Sequence, residues 1–155
     1  CLSREVEAQV SELLPMAVQL WVSGKAHEAI EKIEREGQGE NCIFYAAYPG
    51  NRAIGRCSVY DTRPLMCRLF GFSATKDKKG GVVFGSCRKI KAAFPGIYER
   101  AVRLISEGLD VPIMNGFSSR VAFLDPDQAS MRYPINEATR LAIEKIGVVL
   151  RFTRR

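Results

Sequence analysis

The sequence feature that most constrains the fold is the confinement of four of the five cysteines to one stretch, from Cys42 to Cys87. Aromatic residues, glycines and prolines are frequent in this stretch, whereas the segments on either side have apolar residues at helical spacing. The sequence therefore predicts helices that surround a loop-rich, cysteine-bearing insert.

The flanking segments are typical of amphipathic helices. Apolar residues at helical spacing predict helices over residues 3–22, 25–35, 96–108 and 135–152. We expect Ser3 to cap the first helix, Pro15 to kink or break it, and Asn136 to cap the last. On the second helix, Glu28 and Lys32 have the spacing of an i,i+4 ion pair.

The cysteine-bearing stretch predicts short β structure. The expected elements are strands over 42–48 and 55–60, a helical turn over 61–70, and a β-hairpin with its tip at 76–81. Residues 109–134 are expected to be irregular because prolines and a glycine interrupt them. The predicted fold is mainly α with a small β-hairpin and loop-rich insert (α+β), a single domain over residues 1–155 whose cysteine-cluster segment is 41–90.

The number of cysteines argues against a disulfide framework, because five is odd and a chain of 155 residues can bury a core without covalent staples. We therefore expect reduced thiols and a cytoplasmic location. No apolar run approaches the roughly 18 residues of a membrane span, so no membrane partner is expected. The chain begins with Cys1, and we expect it to be a truncated form of a longer chain.

The spacing of the internal cysteines is C-x14-C-x9-C-x19-C, unlike the paired C-x2-C knuckles of a zinc ribbon. Spacing alone therefore leaves open that they are buried free thiols that pack as small apolar groups. Their neighbours favour a ligand role: arginines stand directly beside three of them, as Arg56, Arg68 and Arg88. Positive charge favours thiolates and compensates the negative charge of a metal bound by several sulfurs.

The central motif C-x2-Y-x2-R-P-x2-C-R resembles the signature of the YkgJ-like cysteine-cluster family, a zinc- or iron-chelating domain. It is formed by Cys57, Tyr60, Arg63, Pro64, Cys67 and Arg68. The resemblance covers about residues 1–90 and implies that the metal ligands are Cys42, Cys57, Cys67, Cys87 and Cys1, the last as a remnant of an N-terminal cluster. Ile43 stands where the family usually has a proline after the first internal cysteine.

The metal and the activity stay open at this point. All-thiolate ligation suits Zn²⁺ and iron–sulfur clusters alike, and no flavin, nicotinamide or nucleophile–base motif decides whether the chain is an enzyme. The alternatives are an Fe–S-dependent oxidoreductase and a zinc-stabilised module that binds nucleic acid or an unknown protein partner. A net charge of +6 permits nucleic acid, but the sequence indicates no aromatic platform beside the charges.

The sequence also leads to expectations for four individual residues: Tyr60, Asp61, Arg63 and His27. Tyr60 is expected to pack under the metal loop with its hydroxyl hydrogen-bonded, and Asp61 to cap the turn that follows. Arg63 is expected to have a structural role in preference to binding an anion. His27, the only histidine, is expected to lie on the surface of the second helix.

Overall fold

A computed structural model describes residues 6–36, 41–86 and 88–153. Its helices are α1 (Val10–Val22), α2 (Ala26–Glu36), α3 (Leu65–Leu69), α4 (Arg88–Ala93), α5 (Pro95–Ser106), α6 (Met114–Ala122) and α7 (Ile135–Thr153). Its strands are β1 (Glu7–Ala8), β2 (Tyr45–Tyr48), β3 (Asn51–Cys57), β4 (Ala74–Lys76), β5 (Val82–Phe84) and β6 (Tyr133–Pro134). The strands pair antiparallel as β1–β6, β2–β3 and β4–β5. The predicted mainly α fold with small β-hairpins is confirmed.

The backbone divides into two compact units. The first unit is Cys1–Pro64 with Leu124–Arg155, and the second unit is Leu65–Phe123. The domain boundaries given by the sequence analysis stay a prediction. No helix in the described ranges has the length and apolar character needed to cross a membrane.

The core of the first unit lies between α1, α2 and α7. Its most deeply buried side chains come from all three helices and include Leu13, Met16, Ala29, Ala138, Ala142 and Ile143. The indole Nε1 of Trp21 donates to the carbonyl oxygen of Ile143 at 2.8 Å. A Cβ on Gly147 would lie 2.7 Å from Cζ2 of the same indole, so glycine lets α1 and α7 approach closely here.

The strands β1 and β6, which directly precede α1 and α7, pair as a two-stranded ribbon that the sequence did not predict. Ala8 of β1 pairs with Tyr133 of β6, and the N–H of Ile135 donates to the carbonyl of Val6 at 2.9 Å. Two-residue strands leave no alternating pattern long enough to detect from sequence. The ribbon therefore holds the N-terminal ends of α1 and α7 next to each other.

The start of α1 corrects two expectations. The helix begins at Val10, where Glu12 Oε1 accepts the N–H of the cap residue Gln9 at 3.1 Å, and the predicted cap Ser3 lies outside the described residues. Pro15 lies inside α1 and the helix continues through it, so the break, one of the two outcomes predicted for Pro15, is wrong, and the kink stays a prediction. A proline in the second turn of a helix removes one hydrogen bond, which the packing of α1 against α7 tolerates.

The second unit is built around the β4–β5 hairpin. The phenyl ring of Phe84 in β5 lies 5.9 Å from the ring of Tyr98 in α5, and the N–H of Ala74 in β4 donates to the carbonyl of Pro112. The predicted hairpin is confirmed. The helix α6 lies within residues 109–134, which were expected to be irregular, and α4 was not predicted either.

Candidate metal centre

The structure describes three of the five candidate ligands. Cys42 and Cys57 belong to the first unit and Cys67 to the second, whereas Cys1 and Cys87 lie outside the described residues. The three described cysteines are thiols and not disulfides. Among the residues that the structure describes, no three His, Cys, Asp or Glu side chains come together as a metal site. The structure therefore addresses part of the predicted ligand set.

Cys42 and Cys57 lie at the same end of the β2–β3 hairpin. Cys57 is the last residue of β3 and pairs with Tyr45 of β2, whose N–H donates to the carbonyl oxygen of Cys42 at 2.9 Å. The next residue, Ser58, donates its N–H to the carbonyl oxygen of Phe44 at 2.9 Å. The turn that carries Cys42 is therefore bonded to the strand end that carries Cys57.

The hairpin itself is shorter at its turn than the sequence indicated. β2 and β3 are joined by Pro49 and Gly50 alone, whereas the predicted strands over 42–48 and 55–60 left a longer connection between them. Gly50 has φ +79°, a left-handed conformation that glycine adopts without strain. Gly55 in β3 supports the ring of Tyr45, since a Cβ there would lie 2.6 Å from Cζ of that ring. These two glycines allow the tight hairpin that brings Cys57 to the Cys42 turn.

The Cys42 turn is held from α7 by one side chain. Asn136 is buried, its Oδ1 accepts the N–H of Ile43 at 3.0 Å, and its Nδ2 donates to the carbonyl oxygen of Asn41 at 3.0 Å. The amide thus bonds the residues on both sides of Cys42. Asn136 lies within α7, so its predicted role as helix cap is wrong.

The same turn is held from α2 by Lys32. Its ammonium Nζ donates to the carbonyl oxygen of Ile43 at 2.7 Å. Within the described chain, Lys32 forms no ion pair with Glu28, so the predicted i,i+4 pair is wrong. The half-buried lysine places a positive charge close enough to act electrostatically on the Cys42 sulfur.

The environment of the Cys42 sulfur acts on its ionisation in opposing ways. Burial raises the pKa of the Cys42 thiol above its ordinary value of 9.0, and the negative charge of a Cys57 thiolate adds to this. The backbone N–H of Phe44 and the charge of Lys32 act in the opposite direction and oppose the rise in pKa. Without a metal the thiol is protonated at neutral pH, while the hydrogen bond and the lysine favour the thiolate that a metal would require.

Arg56 was expected to favour a thiolate at Cys57 because the two residues are adjacent in the sequence, but the strand separates their side chains. Consecutive residues of a strand point to opposite faces, so the exposed Arg56 side chain lies on the other face of the hairpin from the Cys57 thiol. A cation that does act on the Cys42 thiol is Lys32, which lies ten residues away in the sequence and bonds the carbonyl of Ile43. In a strand, a charged residue next to a cysteine in the sequence therefore does not have its charge close to the cysteine sulfur.

The residues between Cys57 and Cys67 form a 3₁₀ turn, Tyr60–Thr62, and the start of α3. Tyr60 is 56% exposed and the guanidinium carbon of Arg63 lies 3.4 Å from its ring centroid, so the expectation that Tyr60 packs beneath a metal loop is wrong. Arg63 Nε also donates to the Tyr60 carbonyl at 2.9 Å, which is a structural role. His27 is exposed, as expected, with its ring edge-on to Trp21.

In the second unit, two buried hydroxyls lack partners among the described residues: Ser73 Oγ and Ser86 Oγ. Ser73 is fully buried, and Ser86 directly precedes Cys87 in the sequence. A buried hydroxyl without an acceptor is costly, and thiolate sulfurs at metal centres are common acceptors. The two hydroxyls are therefore donors that fit an acceptor such as a thiolate in the second unit.

Comparison with known proteins gave one match. The family model CxxCxxCC, described as a "Putative zinc- or iron-chelating domain", matches residues 1–88, which is more than half of the chain. Searches of curated proteins and of solved structures gave no significant match. The matched segment contains all five cysteines and excludes α7, which supplies Asn136.

Proposed function

This chain belongs to the CxxCxxCC family, and we propose that it chelates zinc or iron through the thiolates of Cys42, Cys57, Cys67 and Cys87, with Cys1 as a further ligand. For all five cysteines, the assignment as ligands rests on the family to which residues 1–88 match. For Cys42 and Cys57 it also rests on their shared position at the end of the β2–β3 hairpin.

The observation that carries the proposal is the way the chain presents Cys42. The residues on both sides are bonded to the same buried amide, Lys32 bonds the carbonyl of the next residue, and a backbone N–H and this lysine both act to lower the pKa of the thiol. A thiol that only filled space in a core would gain nothing from an N–H donor or a cation. Both features stabilise negative charge on sulfur, which is the state that binds metal.

The residues of the chain would act as ligands, donors and supports. Cys42 and Cys57 would supply thiolates, the N–H of Phe44 would help to stabilise the charge on the Cys42 sulfur, and Asn136 fixes the turn. A bound zinc would supply a structural crosslink, whereas an iron–sulfur cluster would supply one-electron transfer. The hydroxyls of Ser73 and Ser86 would donate to thiolates of the second unit.

The proposal is tested by elemental analysis of the full chain, purified gently and without chelators. We expect zinc or iron in stoichiometric amount, and less than half of it after Cys42→Ser or Cys57→Ser. The matched control is Ala47→Ser, which introduces the same side chain at an exposed position of the same hairpin and leaves every thiol in place. A protein that neither retains nor takes up zinc or iron, while its circular dichroism shows it folded, would contradict the proposal.

The choice between zinc and an iron–sulfur cluster is tested by anaerobic purification. A cluster would give thiolate-to-iron charge-transfer absorption in the visible range, and the oxidoreductase alternative requires that absorption to bleach reversibly on reduction. A colourless protein with bound zinc would exclude that alternative. Since thiolate ligands must stay reduced, we also infer a reducing compartment, the cytoplasm.

A further inference from the structure

The charge of the chain is unevenly divided between its two units. The second unit contains ten lysines and arginines against four aspartates and glutamates, a net charge of +6. The first unit contains thirteen of each and is neutral. The entire excess of positive charge therefore lies in residues 65–123, a segment of 59 residues by its bounds. Charge concentrated in this way produces a local field that attracts polyanions.

The tip of the β4–β5 hairpin presents three of these cations to solvent. Lys76, Lys78 and Lys79 are exposed, and in the described parts of the chain no carboxylate forms an ion pair with any of them. The acidic residue of the tip, Asp77, uses Oδ1 to accept the backbone N–H groups of Lys79 and Gly81, both at 2.8 Å. That carboxylate shapes the turn, and the lysine ammonium groups are left to a partner.

Helix α5, which packs on β5 of this hairpin, and helix α4, which packs on α5, add further cations. The ammonium of Lys91 in α4 lies 4.7 Å from the ring centroid of Tyr98 in α5, and that ring packs on Phe84 of β5. Arg100 in α5 is exposed and forms no ion pair with any described carboxylate. The aromatic contacts therefore connect α4 to α5, and α5 to β5 of the hairpin.

Exposed phenyl rings accompany the cations, which the sequence analysis did not anticipate. Phe72, just before β4, is 68% exposed, and Phe94, between α4 and α5, is 57% exposed. Unpaired bases stack on aromatic side chains, whereas the bases of a duplex are already stacked on each other. The cations also lie on a hairpin tip and short helices, and not along one helix that could enter a major groove.

From these observations we infer that the second unit binds single-stranded nucleic acid. We use the name basic surface for the exposed cations and phenyl rings of the hairpin and of the segments that flank it in the second unit: Lys76, Lys78, Lys79, Lys91, Arg100, Phe72 and Phe94. Its cations contact phosphates and its phenyl rings stack on bases, so binding tolerates many sequences. This function uses residues other than the proposed thiolate ligands and is independent of whether zinc or iron is bound.

The test is the fluorescence anisotropy of a labelled oligomer of about 20 deoxythymidines, longer than typical single-strand sites, mixed with the full chain. Five phosphate contacts predict a loss of affinity of about a hundredfold between about 50 mM and about 200 mM salt. With Lys76, Lys78 and Lys79 all changed to Gln, the same change in salt should weaken binding less than about tenfold. The matched control changes Lys25, Arg132 and Arg151 of the first unit to Gln, lowers the net charge equally, and should leave the salt dependence unchanged.

Stacking is tested by Phe94→Ala, which should weaken binding about tenfold, against Phe152→Ala, an exposed phenylalanine of the first unit that should have no effect. Absence of salt-dependent binding would overturn the inference, and so would an equal loss in the control variants. Binding to vesicles rich in phosphatidylserine but not to the oligomer would overturn it in favour of a membrane surface. Since the oligomer can be tested on metal-free protein, failure here is distinguishable from failure of metal chelation.

Discussion

Replacing Asn136 with alanine removes the two hydrogen bonds that join α7 to the residues on both sides of Cys42. The N–H of Ile43 is buried and would lose its acceptor, which costs about 1–3 kcal/mol. The carbonyl of Asn41 belongs to an exposed residue, so water can replace its donor at little cost. We therefore expect the metal-free protein to lose about 1–3 kcal/mol of unfolding free energy.

The same substitution should weaken metal binding. Groups that orient a ligand typically change metal affinity about 10- to 100-fold when removed, and Asn136 fixes the turn that presents Cys42. Unfolding in urea can be followed by the fluorescence of Trp21, the only tryptophan, which lies between α1 and α7. Metal release can be followed with a chromogenic chelator.

The control is Thr139→Val in the same helix. The Thr139 hydroxyl is also buried, but its hydrogen bond goes to the carbonyl of Ile135 within α7 and not to the Cys42 turn. This variant should lower the unfolding free energy and leave the metal release rate unchanged. Equal stability of Asn136→Ala and the unchanged protein would refute the argument, as would equal acceleration of metal release in both variants.

The remaining predictions concern helix packing and pH. Gly147→Ala should lower the unfolding free energy by about 1–2 kcal/mol, because the new methyl displaces the Trp21 indole and weakens its bond to Ile143. In a Trp21→Phe background the same substitution should stabilise by several tenths of a kcal/mol through helix propensity, and a loss there in urea unfolding would contradict the steric explanation. Because burial raises the pKa of the Cys42 thiol, metal binding must remove a proton, so competition titrations should show affinity rising with pH from neutral to about 9. An affinity that does not change across this range would exclude Cys42 as a ligand.

The helices that pack on the core could be predicted from sequence. One face of α1, α2 and α7 is buried in the core, and the residues on that face are apolar. These apolar residues recur at helical spacing in the sequence, so the pattern predicts the helices. Helix α6 was missed because none of its residues is buried and Gly116 lies inside it. Helix α4 has only six residues, fewer than two turns, so no period can be read from it.

The residues that support Cys42 could not be predicted. Asn136 has the residue type of a helix cap near a predicted helix start, and only tertiary contact shows that it bonds Ile43, 93 positions away. Lys32 has the spacing of an i,i+4 partner for Glu28, but its ammonium donates instead to the carbonyl oxygen of the buried residue Ile43. An exposed ion pair with Glu28 would stabilise the helix only weakly. Local rules assign such side chains to local partners because they contain no information on distant ones.

The separation between Ile43 and Asn136 also sets the timing of events during synthesis. A ribosome that adds about 5–20 residues per second needs roughly 5 to 20 s to make the 93 residues between them. Throughout that interval the Cys42 turn lacks the amide that fixes its conformation, and α7 is not there to bury it. A nascent chain therefore exposes the Cys42 thiol to the metals and oxidants around it, and the metal binding that we propose would become stable only after α7 has docked.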